Sequence, residues 1–172
     1  MNAMPEMVTH RYDPEQGPCL NLCVLSDPDA ERLLDHLRKS RPALRPDYLA
    51  RRRTTEAWLA REASEALGRT IEQAPAYFFL GDFSHGPDSS RPAALVVPLA
   101  NLPPHAITFT LGDSMKVVEE SSARVYNLPE MVALFAEGAV AEFGLSDRHG
   151  IQTRFIEMQL WEPSRVSSQR VS

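Results

Sequence analysis

Pro75-Ala76-Tyr77-Phe78-Phe79-Leu80-Gly81 divides the chain into two unlike parts. Five consecutive apolar residues between a proline and a glycine are too few for a buried helix and fit a buried strand. Downstream, apolar residues cluster in short runs separated by turn residues. Ala93 to Leu99 and Ile107 to Thr110 read as strands joined by the Leu102-Pro103-Pro104 turn, while Gly81 to Pro92, rich in Gly, Pro, Ser and Asp, reads as loop. Arg124-Val125-Tyr126 is a further short strand, and Arg154 to Trp161 alternates as a strand does.

Upstream, apolar residues recur at helical spacing. Ser26-Asp27-Pro28-Asp29 opens one helix with a cap residue, a first-turn proline and acids near the positive end of the dipole. A second helix runs from Asp47 to about Leu67, where Gly68 supplies the left-handed cap. Leu20 to Leu25 reads as a short buried strand. Asn127-Leu128-Pro129-Glu130 opens the only helix expected downstream, with Glu at the third helical position, and Gly138 ends it. Strands and helices are largely segregated after residue 76, which gives an α+β fold rather than a doubly wound one. The expectation is one domain over residues 18–162, with the N-terminal helices packed on a mixed or antiparallel sheet. Residues 1–17 are expected to form a polar arm and residues 163–172 a loose tail.

The 172 residues fit one domain large enough to need no disulfide or metal staple. The hydrophobic fraction of 43% and the charged fraction of 24% are ordinary for a globular chain. No apolar run approaches the ~18 residues of a membrane span. A net charge of -5 argues against wholesale electrostatic binding of nucleic acid or anionic lipid, though not against a local basic site. Met1 to Met7 lacks the basic and apolar regions of a secretory signal, so a cytoplasmic location is the default expectation. Cys19 and Cys23 lack a second Cys/His pair nearby, so no metal site is expected, and both read as small core residues.

The common phosphate-loop, dinucleotide, serine-elbow and zinc-protease signatures are missing, and the five histidines are scattered. Three stretches remain. In the last strand, Ile156, Met158 and Leu160 point to the core, and Phe155, Glu157, Gln159 and Trp161 point to the other face. A carboxylate and an amide between aromatic rings suit a ligand cleft, or else ordinary cross-strand contacts on a solvated face. Thr108 to Met115 ends a strand in a turn that displays hydroxyl and carboxylate groups, as a binding loop or as a plain hairpin turn. Arg51-Arg52-Arg53 lies on a helix, where at most two of the three can share a site for phosphate or carboxylate. The bland alternative is a solvated helix face beside Glu56 and Glu62.

The order of these pieces resembles the ADP-ribosyltransferase superfamily, in particular its DNA-directed toxins. The resemblance runs from Tyr48 to about residue 162 through Leu49-Ala50-Arg51-Arg52-Arg53, Pro75-Ala76-Tyr77-Phe78-Phe79, Phe109-Thr110-Leu111-Gly112-Asp113, Val125-Tyr126-Asn127-Leu128 and Ile156-Glu157-Met158-Gln159-Leu160-Trp161. Each motif is short, so the order carries the comparison. The family's opening His-containing strand has only Thr9-His10-Arg11 to match it, in a polar stretch. The resemblance implies NAD as substrate and Glu157 as the catalytic carboxylate, stabilising an oxocarbenium-like state as in glycoside cleavage. It implies a cofactor-binding set of Arg51 or Arg52 on the pyrophosphate, Tyr77 or Phe78 on nicotinamide, and Gln159 beside the carboxylate. The acceptor stays open between a nucleic-acid base, a protein and a small molecule. The competing reading is a non-catalytic module that recognises a partner protein through Trp161, Phe155 and the Phe78 region.

Overall fold

The stretch Ala76–Leu80 (β2) is the middle strand of a five-stranded sheet. It stands between β1 (Met7–Tyr12) and β5 (Glu157–Leu160), with β3 (Ala93–Pro98) and β4 (Ile107–Thr110) at the edges, in the order β3-β1-β2-β5-β4. Every neighbouring pair is antiparallel. The computed structural model describes residues 3–148 and 154–167. Among these residues five α-helical segments accompany the sheet: α1 Asp27–Ser40, α2 Tyr48–Leu67, α3 Ser114–Val117, α4 Leu128–Ala136 and α5 Ser164–Ser167. The result is a single α+β domain, as the sequence leads one to expect. None of the described helices is long and apolar enough to cross a membrane.

The helix ends follow their local chemistry. The Ser26 side chain accepts from Asp29 N–H at the start of α1, Gly68 closes α2 at φ 64°, and Asn127 and Glu130 form a reciprocal capping box on α4. One face of the sheet presents Val8, Phe78, Leu80, Ile107, Met158 and Leu160 to Met131 and Phe135 of α4, and this is the main core. On the other face, Leu59 and Ala63 of α2 pack with Trp161 and Tyr77. Ala30 and Leu34 of α1 pack in turn against Leu49 at the start of α2.

Four expectations need correction. The expected N-terminal arm contains a strand, β1, whose Val8, Thr9, His10 and Arg11 are buried between β2 and β3. Its polar side chains all find partners: Thr9 Oγ1 donates to Gly81 O at 2.7 Å and accepts from Phe83 N–H, and Arg11 Nε donates to Arg91 O at 3.0 Å. Leu20 to Leu25 is not a strand but a 3-10 turn, Leu22–Val24, with Asn21 accepting from Cys23 N–H as its cap and Val24 left exposed. Arg124 to Tyr126 reaches the sheet only through a single bridge from Tyr126 to Phe109. The tail also begins later than expected, because Ser164–Ser167 is helical and Val166 is buried. Residues 168–172 of the expected tail lie outside the described residues.

The last strand enters the core in the expected register, with Ile156, Met158 and Leu160 fully buried. Phe79, Val96 and Leu134 are only half-buried. The opposite face of β5 is neither solvated nor an open cleft. Helix α2 lies over it, and Glu157, Gln159 and Trp161 are buried as well.

Candidate active site beneath the second helix

Helix α2 turns Arg52, Glu56, Leu59 and Ala63 toward the sheet, the spacing of one helical stripe. Only the middle arginine of the triplet enters. Arg51 pairs with Glu119 at 2.8 Å and Arg53 with Asp27 at 2.6 Å, so both are engaged at the surface. The Arg52 guanidinium lies 3.9 Å above the centroid of the Tyr77 ring, and its Nε is 3.6 Å from Glu56 Oε1. Burial works against its charge, but Tyr77, Tyr48, Glu157 and Glu56 around it outweigh burial and hold its pKa above the usual value. Among the described residues Arg52 makes an ion pair and a ring contact but no hydrogen bond.

Glu56 anchors this arrangement. Its Oε1 accepts from Tyr77 OH at 2.8 Å and from Asn21 Nδ2 at 2.7 Å, and the same Asn21 amide donates to Pro75 O. The segment before α1 is thereby tied to α2 and to the start of β2. Burial pushes the Tyr77 phenol up, so it stays a neutral donor to Glu56.

Across the sheet, Tyr77 stands opposite Gln159 and Phe79 opposite Glu157, while Thr108 and Thr110 flank the same two residues from β4. The Glu157 carboxyl is pushed up to about 6, first by burial and also by Asp113, against the opposing pull of Arg52, Ser114 and Gln159. Gln159 Nε2 donates to Glu157 Oε1 at 3.0 Å. Gly112, at φ 126°, turns the chain after β4 in a conformation that favours glycine, and brings Ser114 beside the carboxyl. Ser114 Oγ is fully buried and completes a hydrogen bond with none of the described residues. It faces Glu157 closely enough to lower the carboxyl pKa, yet without the geometry of a formed bond.

The structure therefore brings together Glu157, Gln159, Tyr77 and Arg52. It separates two others from them. Phe78 is on the opposite face, 1% exposed, opposite Met158 in the core and 5.1 Å from the His10 ring, so it is a packing residue with no access to Glu157. Arg51 is held by Glu119. Gln159 is in place but fully buried, with its amide committed to Thr108, Thr110 and Glu157; it acts on the carboxylate and leaves nothing for a ligand. Glu56 and Asn21 were not singled out by sequence. The Arg52–Glu56 spacing of four on a helix is visible there, but nothing marks it as inward-facing.

His10 reaches the site only through the backbone of β2. Its Nε2 accepts from Cys19 N–H at 2.8 Å, so the proton is on Nδ1, which donates to Tyr77 O at 2.7 Å. A cavity of about 400 Å³ lies elsewhere, lined by Asp13, Glu15, His36, Ser89 and Ser90 among others, and shares no residue with the cluster under α2. Compared with models of protein families, with curated proteins and with solved structures, the chain matches none.

Proposed function

We propose that the chain is an ADP-ribosyltransferase-like enzyme that cleaves NAD and transfers ADP-ribose to an acceptor. One observation carries the reading. Glu157 is buried on a strand next to the one bearing Tyr77, beside an Arg52 guanidinium with no hydrogen bond and a Ser114 hydroxyl with no partner among the described residues. Buried polar groups left unpaired are costly, and their convergence is characteristic of a ligand site. The order of strands supports the same reading. Tyr77 and Glu157, from two of the pieces that carry the resemblance, lie on β2 and β5, which are neighbours in the sheet.

In this mechanism the bond between nicotinamide and ribose breaks with its electron pair leaving on neutral nicotinamide. The ribose carbon acquires oxocarbenium character and is captured by the acceptor, which gives up a proton. Ionised Glu157 accepts a hydrogen bond from a ribose hydroxyl and stabilises the developing positive charge. Arg52 supplies donors for the pyrophosphate, and Tyr77 holds Arg52 in orientation from below.

The partner-protein alternative relies on Trp161, Phe155 and the Phe78 region. Trp161 and Phe78 are each 1% exposed, leaving half-buried Phe155 and its edge-on neighbour Phe79 as the available rings. The test is incubation with NAD labelled in turn on nicotinamide and on adenylate, with single-stranded nucleic acid, protein and small-molecule acceptors. The expected result is nicotinamide release by the wild type and its loss by a hundred- to a thousand-fold, or ~3–4 kcal/mol of barrier, in folded Glu157→Gln. A folded wild type that neither binds nor consumes NAD refutes the proposal.

A further inference from the structure

The hydrogen bonds behind Glu157 have a fixed direction. The indole N–H of Trp161 can only donate, and it donates to Thr108 Oγ1 at 2.9 Å. The Thr108 hydroxyl, accepting there, donates to Gln159 Oε1 at 2.9 Å. That contact turns the carbonyl oxygen of Gln159 toward Thr108. Its NH2 is left to face Thr110 Oγ1 at 3.1 Å and Glu157 Oε1 at 3.0 Å. Thr110 cannot reverse the order, since its own hydroxyl donates to Gly112 O at 2.9 Å. Thr108, Thr110 and Gln159 are all fully buried, so water does not compete for these bonds.

We infer that Trp161, Thr108 and Gln159 form a one-way relay of positioning residues that holds Glu157 by one carboxylate oxygen and leaves the other for Ser114 and a ligand. The relay aims a donor, never an acceptor, at Glu157, and a donor favours the ionised form. A glutamine amide turned the other way would present its carbonyl oxygen, and that oxygen suits only the protonated acid. The groups facing Glu157 from the surrounding elements are Arg52 on α2, Tyr77 on β2, and Asp113 and Ser114 at the start of α3. None of them fixes the amide of Gln159. The inference goes beyond the NAD reading, because it concerns the state of one carboxyl whatever ligand the site takes.

The test is a titration of the Glu157 side-chain carboxyl in the full chain by carbon-13 NMR, assigned with Glu157→Gln. Thr108→Val removes the hydroxyl at nearly constant volume, and its midpoint should move up by roughly half to one pH unit. Thr108→Ser keeps the hydroxyl and should restore the wild-type midpoint. A purely structural threonine would lower the melting temperature of Thr108→Val without moving the midpoint, and that result overturns the relay. So does an equal shift in Thr108→Ser. If Thr108→Val does not fold, Trp161→Phe decides: it frees the Thr108 hydroxyl to turn, so the midpoint should rise, and an unchanged midpoint overturns the inference. Absence of NAD turnover would leave this titration untouched, so the two proposals fail separately.

Discussion

Replacing Glu157 by glutamine should make the protein more stable at neutral pH while removing its activity. On an exposed strand face the substitution would be nearly neutral for folding. Under α2 it is not, because Glu157 is 8% exposed and its carboxyl is pushed from an ordinary 4.5 up to about 6, chiefly by burial. That rise amounts to about 2 kcal/mol against the ionised form. Between pH 4.5 and about 6 the folded protein retains a proton that the unfolded chain has released, so stability falls as pH rises through this window and levels off above it. Glutamine removes the term. Its carbonyl oxygen can accept from Gln159 Nε2, and its NH2 then faces the Ser114 hydroxyl, which has no partner among the described residues. Arg52 keeps Glu56 at 3.6 Å, so no cation is stranded. The expected gain is about 2 kcal/mol at pH above 7, or roughly 4–8 °C in melting temperature for a chain of this size. Near pH 4 the gain should vanish. Urea titrations of both proteins at the two pH values check it. A destabilised Glu157→Gln at high pH, or a gain equal at both, would show that packing rather than the buried charge controls this position.

Activity that requires the ionised carboxylate should fall as pH drops through about 6, and a kcat/KM profile for NAD cleavage that is flat across that value would count against Glu157. Arg52→Lys keeps the charge but loses the planar contact 3.9 Å above Tyr77, and should raise KM for NAD by roughly five- to thirty-fold with the fold intact. Met158→Ala, at a fully buried position in the main core, should cost ~2–5 kcal/mol in a urea titration with an unchanged slope. Gly81→Ala would place a methyl carbon 2.1 Å from the Leu145 carbonyl oxygen at φ 114°, so at least about 2 kcal/mol should be lost, read as a fall in melting temperature.

What was legible in the sequence was local. The caps at Ser26, Gly68 and the Asn127–Glu130 box are made by residues within a turn of the helix they close, so the signal and its physical cause lie together. β1 was illegible for the opposite reason. Thr9, His10 and Arg11 look like solvated residues until partners 72, 67 and 80 positions away are in place. The alternation of β5 gave the register correctly and the environment wrongly. Period two separates two faces of a strand, but it does not say that the second face is dry. That depends on α2 lying across it, and the polar residues Glu157 and Gln159 are what made the face look wet. In the same way Arg51-Arg52-Arg53 limits how many arginines can share a site, while the choice of Arg52 is made by Tyr77 and Glu56, which the triplet itself does not reveal.

The cluster under α2 runs against the stability of the fold that holds it. A buried carboxylate with a raised pKa and a hydroxyl with no partner among the described residues each cost free energy, and both meet around Glu157. Elsewhere among the described residues buried polar side chains find partners, down to Thr9 and Arg11 in the middle of the sheet. The difference is therefore local and not a general looseness of packing. Apolar residues at positions 114 and 157 would avoid these costs. A ligand that accepts from Arg52 and Ser114 and donates to the Glu157 carboxylate would pair these groups in one step. Its binding would thus recover part of what folding alone leaves unsatisfied.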